Sequence, residues 1–384
     1  VFLMALALLL VVPVRALYMQ PQLEQVPIER LITNLGKMVD ADPQNVALRI
    51  NLARAHAMAF ANRGAPVPVV RTLKGLEERD GVWFGPPQAA NVPFAPVASD
   101  RRSTPPGDVE KVHLSLAIAA YEQGLRLDPL NNLARLGYGW CVEQAGDKAA
   151  AIDAYRRVIA EVWPAEQAGR GIRPSPGPGP ITAEAARYLM PLLDPVKDKE
   201  EIQRLRGYVS ELDKKPRMIT PVVIPLVHDR DVSQLVDRFA RVRFDADGGG
   251  LAREWTWISK DAGWLVYDQR GTKQIASSLQ LFGNVTFWMF WANGYEALRA
   301  LDDNQDGRLA GAEFTGLGIW RDGDSDGISD PGEVKSLADW GIVALSSAYE
   351  SEDESDVYIA SSRRGVTFAD GSTRPTYDVL LHPR

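Results

Sequence analysis

A recurrence constrains this chain most. Ala117-Ile118-Ala119-Ala120-Tyr121 returns 34 residues later as Ala151-Ile152-Asp153-Ala154-Tyr155. A small residue lets a second helix approach closely, and an aromatic ring four residues on fills the groove beside it. A unit of this length is a helix pair that cannot bury its apolar faces alone, so copies must stack. The first copy runs on into Leu125-Arg126-Leu127-Asp128-Pro129, and Gly139-Trp140 and the turn Gly146-Asp147 precede the second. An earlier Asp42-Pro43 stands 86 residues before Asp128-Pro129, which exceeds one period by 52. The simplest account is a repeat whose two helices are separated by an insertion. Residues 62–110 suit that insertion, because they hold eight of the 26 prolines, including Pro86-Pro87 and Pro105-Pro106. Such a segment runs over a surface.

This pattern resembles the tetratricopeptide family over about residues 25–163. The resemblance implies helical repeats, assigned to residues 17–163, that bind a protein partner; a plain helical spacer is the alternative. Arg173-Pro174-Ser175-Pro176-Gly177-Pro178-Gly179-Pro180 marks a linker over 164–181. A helical extension over 182–213 follows, with one helix from Thr182 to Leu193 and a charged one from Lys197 to Asp213. Pro216 to Pro225 is the boundary to residues 214–384. There, short β-type runs appear at Trp255–Ile258, Trp264–Tyr267, Ile342–Leu345, Val357–Ile359 and Val366–Phe368, with a helical pattern at Tyr295–Leu301. This half reads as α+β.

Two twelve-residue windows carry the chemistry. The first runs from Asp302 to Glu313 and the second from Asp322 to Glu333. Each places an oxygen-bearing side chain at positions 1, 3 and 5, glycine at 6 and glutamate at 12. Alternate residues of a tightly turning backbone point inward, so positions 1, 3 and 5 converge on one ion. Glycine takes the sharp bend, and the glutamate returns as a bidentate ligand. The first window offers Asp302, Asn304, Asp306 and Glu313, with the Arg308 carbonyl at position 7. The second offers Asp322, Asp324, Asp326, Asp330 and Glu333, with the Ile328 carbonyl. By charge count the second should bind more tightly, and hard oxygen ligands in this number favour Ca²⁺ over Mg²⁺. Only Phe314 to Arg321 separate the windows, so a short helix is expected between them. That leaves no pair of levers to open, which points to a structural ion rather than a switch.

The stretch from about Ile219 to Asp378 resembles the EF-hand-type calcium domain of large secreted bacterial proteins, often found with haemolysin-type repeats. The matching pieces are Phe244-Asp245-Ala246-Asp247-Gly248-Gly249-Gly250, Trp257-Ile258, Trp264 to Asp268, Leu281-Phe282-Gly283, Gly294 to Leu298, both windows, Trp320, and Arg364 to Gly371. The whole chain is similar to bacterial proteins that join tetratricopeptide helices to such a domain. The fold expected is therefore multidomain: all-α repeats, then an α+β domain over 214–384 with two EF-hand-type calcium loops. Gly249 replaces a third acidic ligand after Asp245 and Asp247, leaving an incomplete third site. Arg270, Thr272 and Lys273 depart from the pattern after Asp268, where no ion is expected.

Composition bounds the remaining classes. With 43 basic and 50 acidic residues the formal charge is −7, which excludes a phosphate-neutralising nucleic-acid face. The single cysteine, Cys141, allows no intrachain disulfide and reads as a packed core residue. Residues 1–16 combine a short apolar run with Val14-Arg15-Ala16, which is the form of an export signal, with a membrane anchor over residues 1–14 as alternative. Seven of the ten tryptophans lie within 255–340, where an aromatic core is expected and a carbohydrate platform is the alternative. No nucleophile elbow, zinc-protease or phosphate-loop motif is present. The function expected is a calcium-binding, non-enzymatic exported protein. A dockerin-like cohesion module and a glycan-acting hydrolase with a carboxylate pair are the alternatives.

Overall fold

A computed structural model describes residues 24–62, 67–69, 107–169, 180–215, 219–246, 252–269 and 271–384. The expected export signal, most of the insertion, the centre of the Pro/Gly linker, and Asp247 to Gly250 lie outside these residues.

The N-terminal half is helical. Its elements are α1 (Ile28–Ala41), α2 (Val46–Asn62), α3 (Asp108–Leu127), α4 (Asn132–Gln144), α5 (Lys148–Gln167), α6 (Ile181–Leu189) and α7 (Lys199–Leu212). Asn131 and Asp147 cap α4 and α5 by accepting the amides of Ala134 and Ala150. The repeat residues Ala117, Tyr121, Ala151 and Tyr155 are all fully buried. A Cβ at Gly137 would overlap the Tyr121 ring, so the absence of a side chain on α4 is what lets α3 lie against it. Gly137→Ala should therefore cost about 1–3 kcal/mol by overpacking. An unchanged denaturation midpoint would mean that the two helices do not approach this closely. Helix α5 runs four residues past the expected end of the repeats, through Pro164, because Trp163 stacks on Tyr208 of α7 at 3.8 Å between centroids.

The C-terminal half is dominated by antiparallel strands. A small ladder of β1 (Glu24–Val26) and β2 (Val67–Val69) belongs to the helical half. The remaining strands begin with β3 (Val222–Pro225), β4 (Val236–Phe244), β5 (Arg253–Ile258) and β6 (Ala262–Tyr267). After them come β7 (Arg308–Ala310), β8 (Leu317–Trp320), β9 (Val334–Ser336) and β10 (Ile342–Ser346). The last are β11 (Glu350–Ser351), β12 (Tyr358–Phe368) and β13 (Thr373–Val379). Two short helices, α8 (Val232–Leu235) and α9 (Gly294–Arg299), lie among them. The main sheet has the order β7-β10-β12-β13-β3-β6-β8-β9, with β11 beside β12, while β4 and β5 pair apart. In a flat sheet β7 and β8 would stand about 29 Å apart. The seven residue steps from Ala310 to Leu317 reach at most about 24 Å. The sheet therefore curls into a half-barrel.

Two cores flank it. On β3, Val222 and Ile224 face one and Val223 the other; on β6, Leu265 and Tyr267 oppose Trp264 and Val266. This period of two on strands buried on both sides makes them nearly continuous apolar runs. The first core also takes Leu31, Leu35 and Met38 of α1 and Ala55 and Met58 of α2. A boundary at residue 214 thus does not separate two cores, because α1 and α2 cover one face of the sheet.

Three expectations change. Phe314–Arg321 is not a helix: a 3₁₀ turn, Gly311–Phe314, leads into strand β8, whose Leu317 and Ile319 face one core and Trp320 the other. The stretch expected as a boundary up to Pro225 contains β3, a central strand. The separate runs at Val357–Ile359 and Val366–Phe368 belong largely to one strand, β12, bent by register shifts.

Candidate metal centre

The two acidic windows sit at opposite ends of the strand order. The first follows α9 and contains β7, and the second is the tip of the hairpin β8–β9. Their internal bonding agrees at positions 1, 5 and 12, whereas at position 3 Asn304 alone accepts the Asp306 amide and donates to the Asp306 carboxylate. At position 1, Asp302 accepts the amides of Asp306 and Gly307 at 3.2 and 2.9 Å, and Asp322 those of Asp326 and Gly327 at 3.3 and 3.0 Å. At position 5, Asp306 accepts the Arg308 amide at 2.9 Å and Asp326 the Ile328 amide at 2.7 Å. At position 12, Glu313 accepts the amides of Asp303 and Ala310 at 2.7 and 3.0 Å. Glu333 accepts those of Gly323 and Asp330 at 2.6 and 3.1 Å. Positions 4 and 6 are left-handed in both, at Gln305 and Ser325 (φ 60° and 62°) and at Gly307 and Gly327 (φ 83° and 77°). This turn folds the carboxylates inward, as the spacing requires.

The convergence is closest in the second loop. Carboxylate oxygens of Asp322, Asp324 and Glu333 lie within 4.8 Å of one another, as do those of Asp324, Asp326 and Asp330. Among the described residues these are the two such clusters. The first loop, with Asn304 at position 3, brings no three carboxylates that close. Asp322 is 1% exposed, and burial pushes its pKa up to about 6, opposed by the Gly327 amide and the Trp257 indole. Burial raises Asp302 as well, with the Glu313 charge adding to it. Asp322 is buried while Asp324, Asp326 and Asp330 are exposed, and an all-oxygen donor set with a main-chain carbonyl at position 7 suits a hard divalent ion. The residues present fit the ion that the spacing suggests.

Without metal, the raised Asp322 pKa has a definite sign. The protonated carboxyl is favoured in the fold, so its stabilising contribution is complete below about pH 4 and lost as pH rises through about 6. In chelator, Asp322→Asn should melt close to the wild type at pH 4 and above it by pH 7. A difference independent of pH would show that Asp322 is not held this way.

Two features here had no signal in the ligand spacing. The Trp257 indole donates to Asp322 at 2.7 Å, and that of Trp320 to Glu333 at 3.2 Å. A buried indole needs an acceptor for its N–H, which is the only hint the sequence held. Helix α1 grips the first loop: Arg30 and Asn34 donate to the Asp303 carboxylate at 2.7 and 2.8 Å, Asn34 to the Ala300 carbonyl, and Lys37 to the Asp303 carbonyl.

Other sequence candidates resolve differently. The Asp268 carboxylate accepts the amides of Thr272 and Lys273 and closes a turn. Asp245 is buried, but its companion Asp247 lies outside the described residues, which leaves the third site without a described pair. Cys141 is fully buried and its thiol pKa is pushed up by burial. Trp255, Trp257, Trp264, Trp291 and Trp320 are all fully buried, so they form core and not an exposed sugar platform. Strands β8 and β9 follow the two loops, where a dockerin-like pair needs helices. The histidines, unrelated in sequence, include a pair brought together on α2 and α3, with His56 and His113 Nδ1 atoms 3.0 Å apart.

Comparison with known proteins places these halves. Residues 226–382 match the SPM domain family, and residues 113–166 match the tetratricopeptide repeat family. The iron-regulated protein FrpA of Neisseria meningitidis serogroup C is 32% identical over 174 residues, 44% of this chain and 16% of that protein. The chain thus matches about a sixth of that relative's length. Among the described residues no helix is long and apolar enough to cross a membrane.

Proposed function

We propose that this is a calcium-binding, non-enzymatic exported protein whose helical repeats mediate contact with a protein partner. The observation that carries the calcium reading is the shared hydrogen bonding at positions 1, 5 and 12 of the two loops, joined to the converging carboxylates of the second. In the first site Asp302, Asn304, Asp306, the Arg308 carbonyl and Glu313 hold the ion. In the second, Asp322, Asp324, Asp326, the Ile328 carbonyl and Glu333 do so, with Asp330 at position 9. The ion neutralises charge that would otherwise repel, and it ties β8 to β9 and α9 to β7. A structural role is favoured because each loop leads into a strand of one sheet, with no helix pair to swing apart. The partner-binding reading rests on the tetratricopeptide match, and the export reading on the apolar N-terminal run.

The test is a calorimetric titration of Ca²⁺ into the chelator-treated full chain, with Mg²⁺ as control. Two ions are expected, the tighter at the second loop, with a clear preference over Mg²⁺. Absence of heat at millimolar calcium would sink the reading.

A further inference from the structure

The segment joining Thr286 to Asn293 divides its side chains between the two halves of the molecule. Phe287, Met289 and Trp291 enter the core shared by the sheet, α1 and α2. Phe290 points the other way and is the one residue beyond position 213 among the buried residues of the helical-repeat core. Its surroundings are specific. Asn51 of α2 donates from Nδ2 to the Phe290 carbonyl at 3.0 Å and accepts the Phe290 amide on Oδ1 at 2.9 Å. The Arg54 guanidinium, one turn further on, lies 4.7 Å from the ring centroid. Arg54 in turn feels Tyr121 of α3 and Glu184 and Tyr188 of α6. The segment reaches this position through Phe287 at φ 58°, a left-handed conformation that a phenylalanine rarely adopts.

An asparagine that gives one hydrogen bond to a peptide group and takes one back reads backbone, as a neighbouring strand does, without regard to sequence. A ring placed against a buried guanidinium supplies the selectivity. We propose that the α2 face around Asn51 and Arg54 is a receptor for an aromatic peptide, and that residues 286–293, a 3₁₀ turn at Thr286–Trp288 followed by extended backbone at Met289, are its resident ligand. The external partner this surface fits is then a segment of the same chemistry, which must displace Phe290. This rests on the repeats being a protein-binding module.

The test uses the full chain and a labelled synthetic peptide of residues 284–294, with a second peptide carrying alanine for Phe290. Phe290→Ala should bind the first peptide at least ten-fold more tightly than the wild type does. The alanine peptide, and the chain with Asn51→Ala added, should lose that gain. On the wild type, an excess of the first peptide should speed hydrogen exchange at the Phe290 amide, and this arm decides if Phe290→Ala fails to fold. No gain, a gain that survives Asn51→Ala, or an exchange rate that does not respond overturns the inference. A peptide that binds the wild type while the Phe290 amide stays protected also overturns it, yet leaves the repeats a protein-binding module.

Discussion

Glu333→Ala is expected to abolish most of the rise in melting temperature that calcium brings. An ion present at a hundred times its dissociation constant stabilises the folded state by about 2.7 kcal/mol. At about 2.1 cal/mol/K of unfolding entropy per residue, a cooperative unit of this chain's length shifts by about 3–4 °C. Glu333 spans the second loop, accepting the amides of Gly323 and Asp330 while facing Asp322 and Asp324. Removing it takes away a bidentate ligand and the link between the two ends of the hairpin tip. Asp326→Ala should act in the same direction, whereas Glu354→Ala, exposed on a distant loop, should leave the calcium shift intact. Equal shifts in wild type and Glu333→Ala would place the stabilising ion elsewhere.

Trp257→Phe should weaken calcium at the second loop by about 10–100-fold, the range found when a partner of a metal ligand is removed. The ring would still fill its place against Phe244, Trp264 and Trp320, whose centroids lie 5.2–5.7 Å away. What disappears is the N–H held 2.7 Å from Asp322, which orients that carboxylate inward. The first loop is an internal control, since Asp302 and Glu313, at the positions of Asp322 and Glu333, take their bonds from backbone amides and no indole. Separate fitting of the two calorimetric steps distinguishes them. If both steps weaken together, Trp257 acts through packing and not through Asp322.

The parts of the molecule that were legible in the sequence are those whose determinants are local. Ala117 with Tyr121, and Ala151 with Tyr155, lie one helical turn apart, and they fix both the helices and their burial. The acidic loops are legible for the same reason: the acidic and turn residues of each fall within twelve positions. The connector between them was misread because Leu317 to Trp320 is a short apolar run, and length and pattern do not separate a buried strand from a buried helix there. Only pairing with β6 and β9 decides it, by supplying hydrogen bonds on both sides. β3 was hidden by the prolines around it, although its Val222 to Ile224 are buried at the centre of the sheet.

From the sequence alone come the helical repeats, an α+β second half and the two acidic loops with their spacing, because each is written in residues close enough to fold together by themselves. The tertiary structure alone decided which residues surround those loops. Arg30, Asn34 and Lys37 meet Asp303 across about 270 residues of chain, Trp257 meets Asp322 across 65, and Asn51 meets Phe290 across 239. Such contacts leave no periodic trace. They arise because the curled sheet needs its open face covered, and the apolar sides of α1 and α2 bury that face while carrying their polar residues to the loop and to the Phe290 segment.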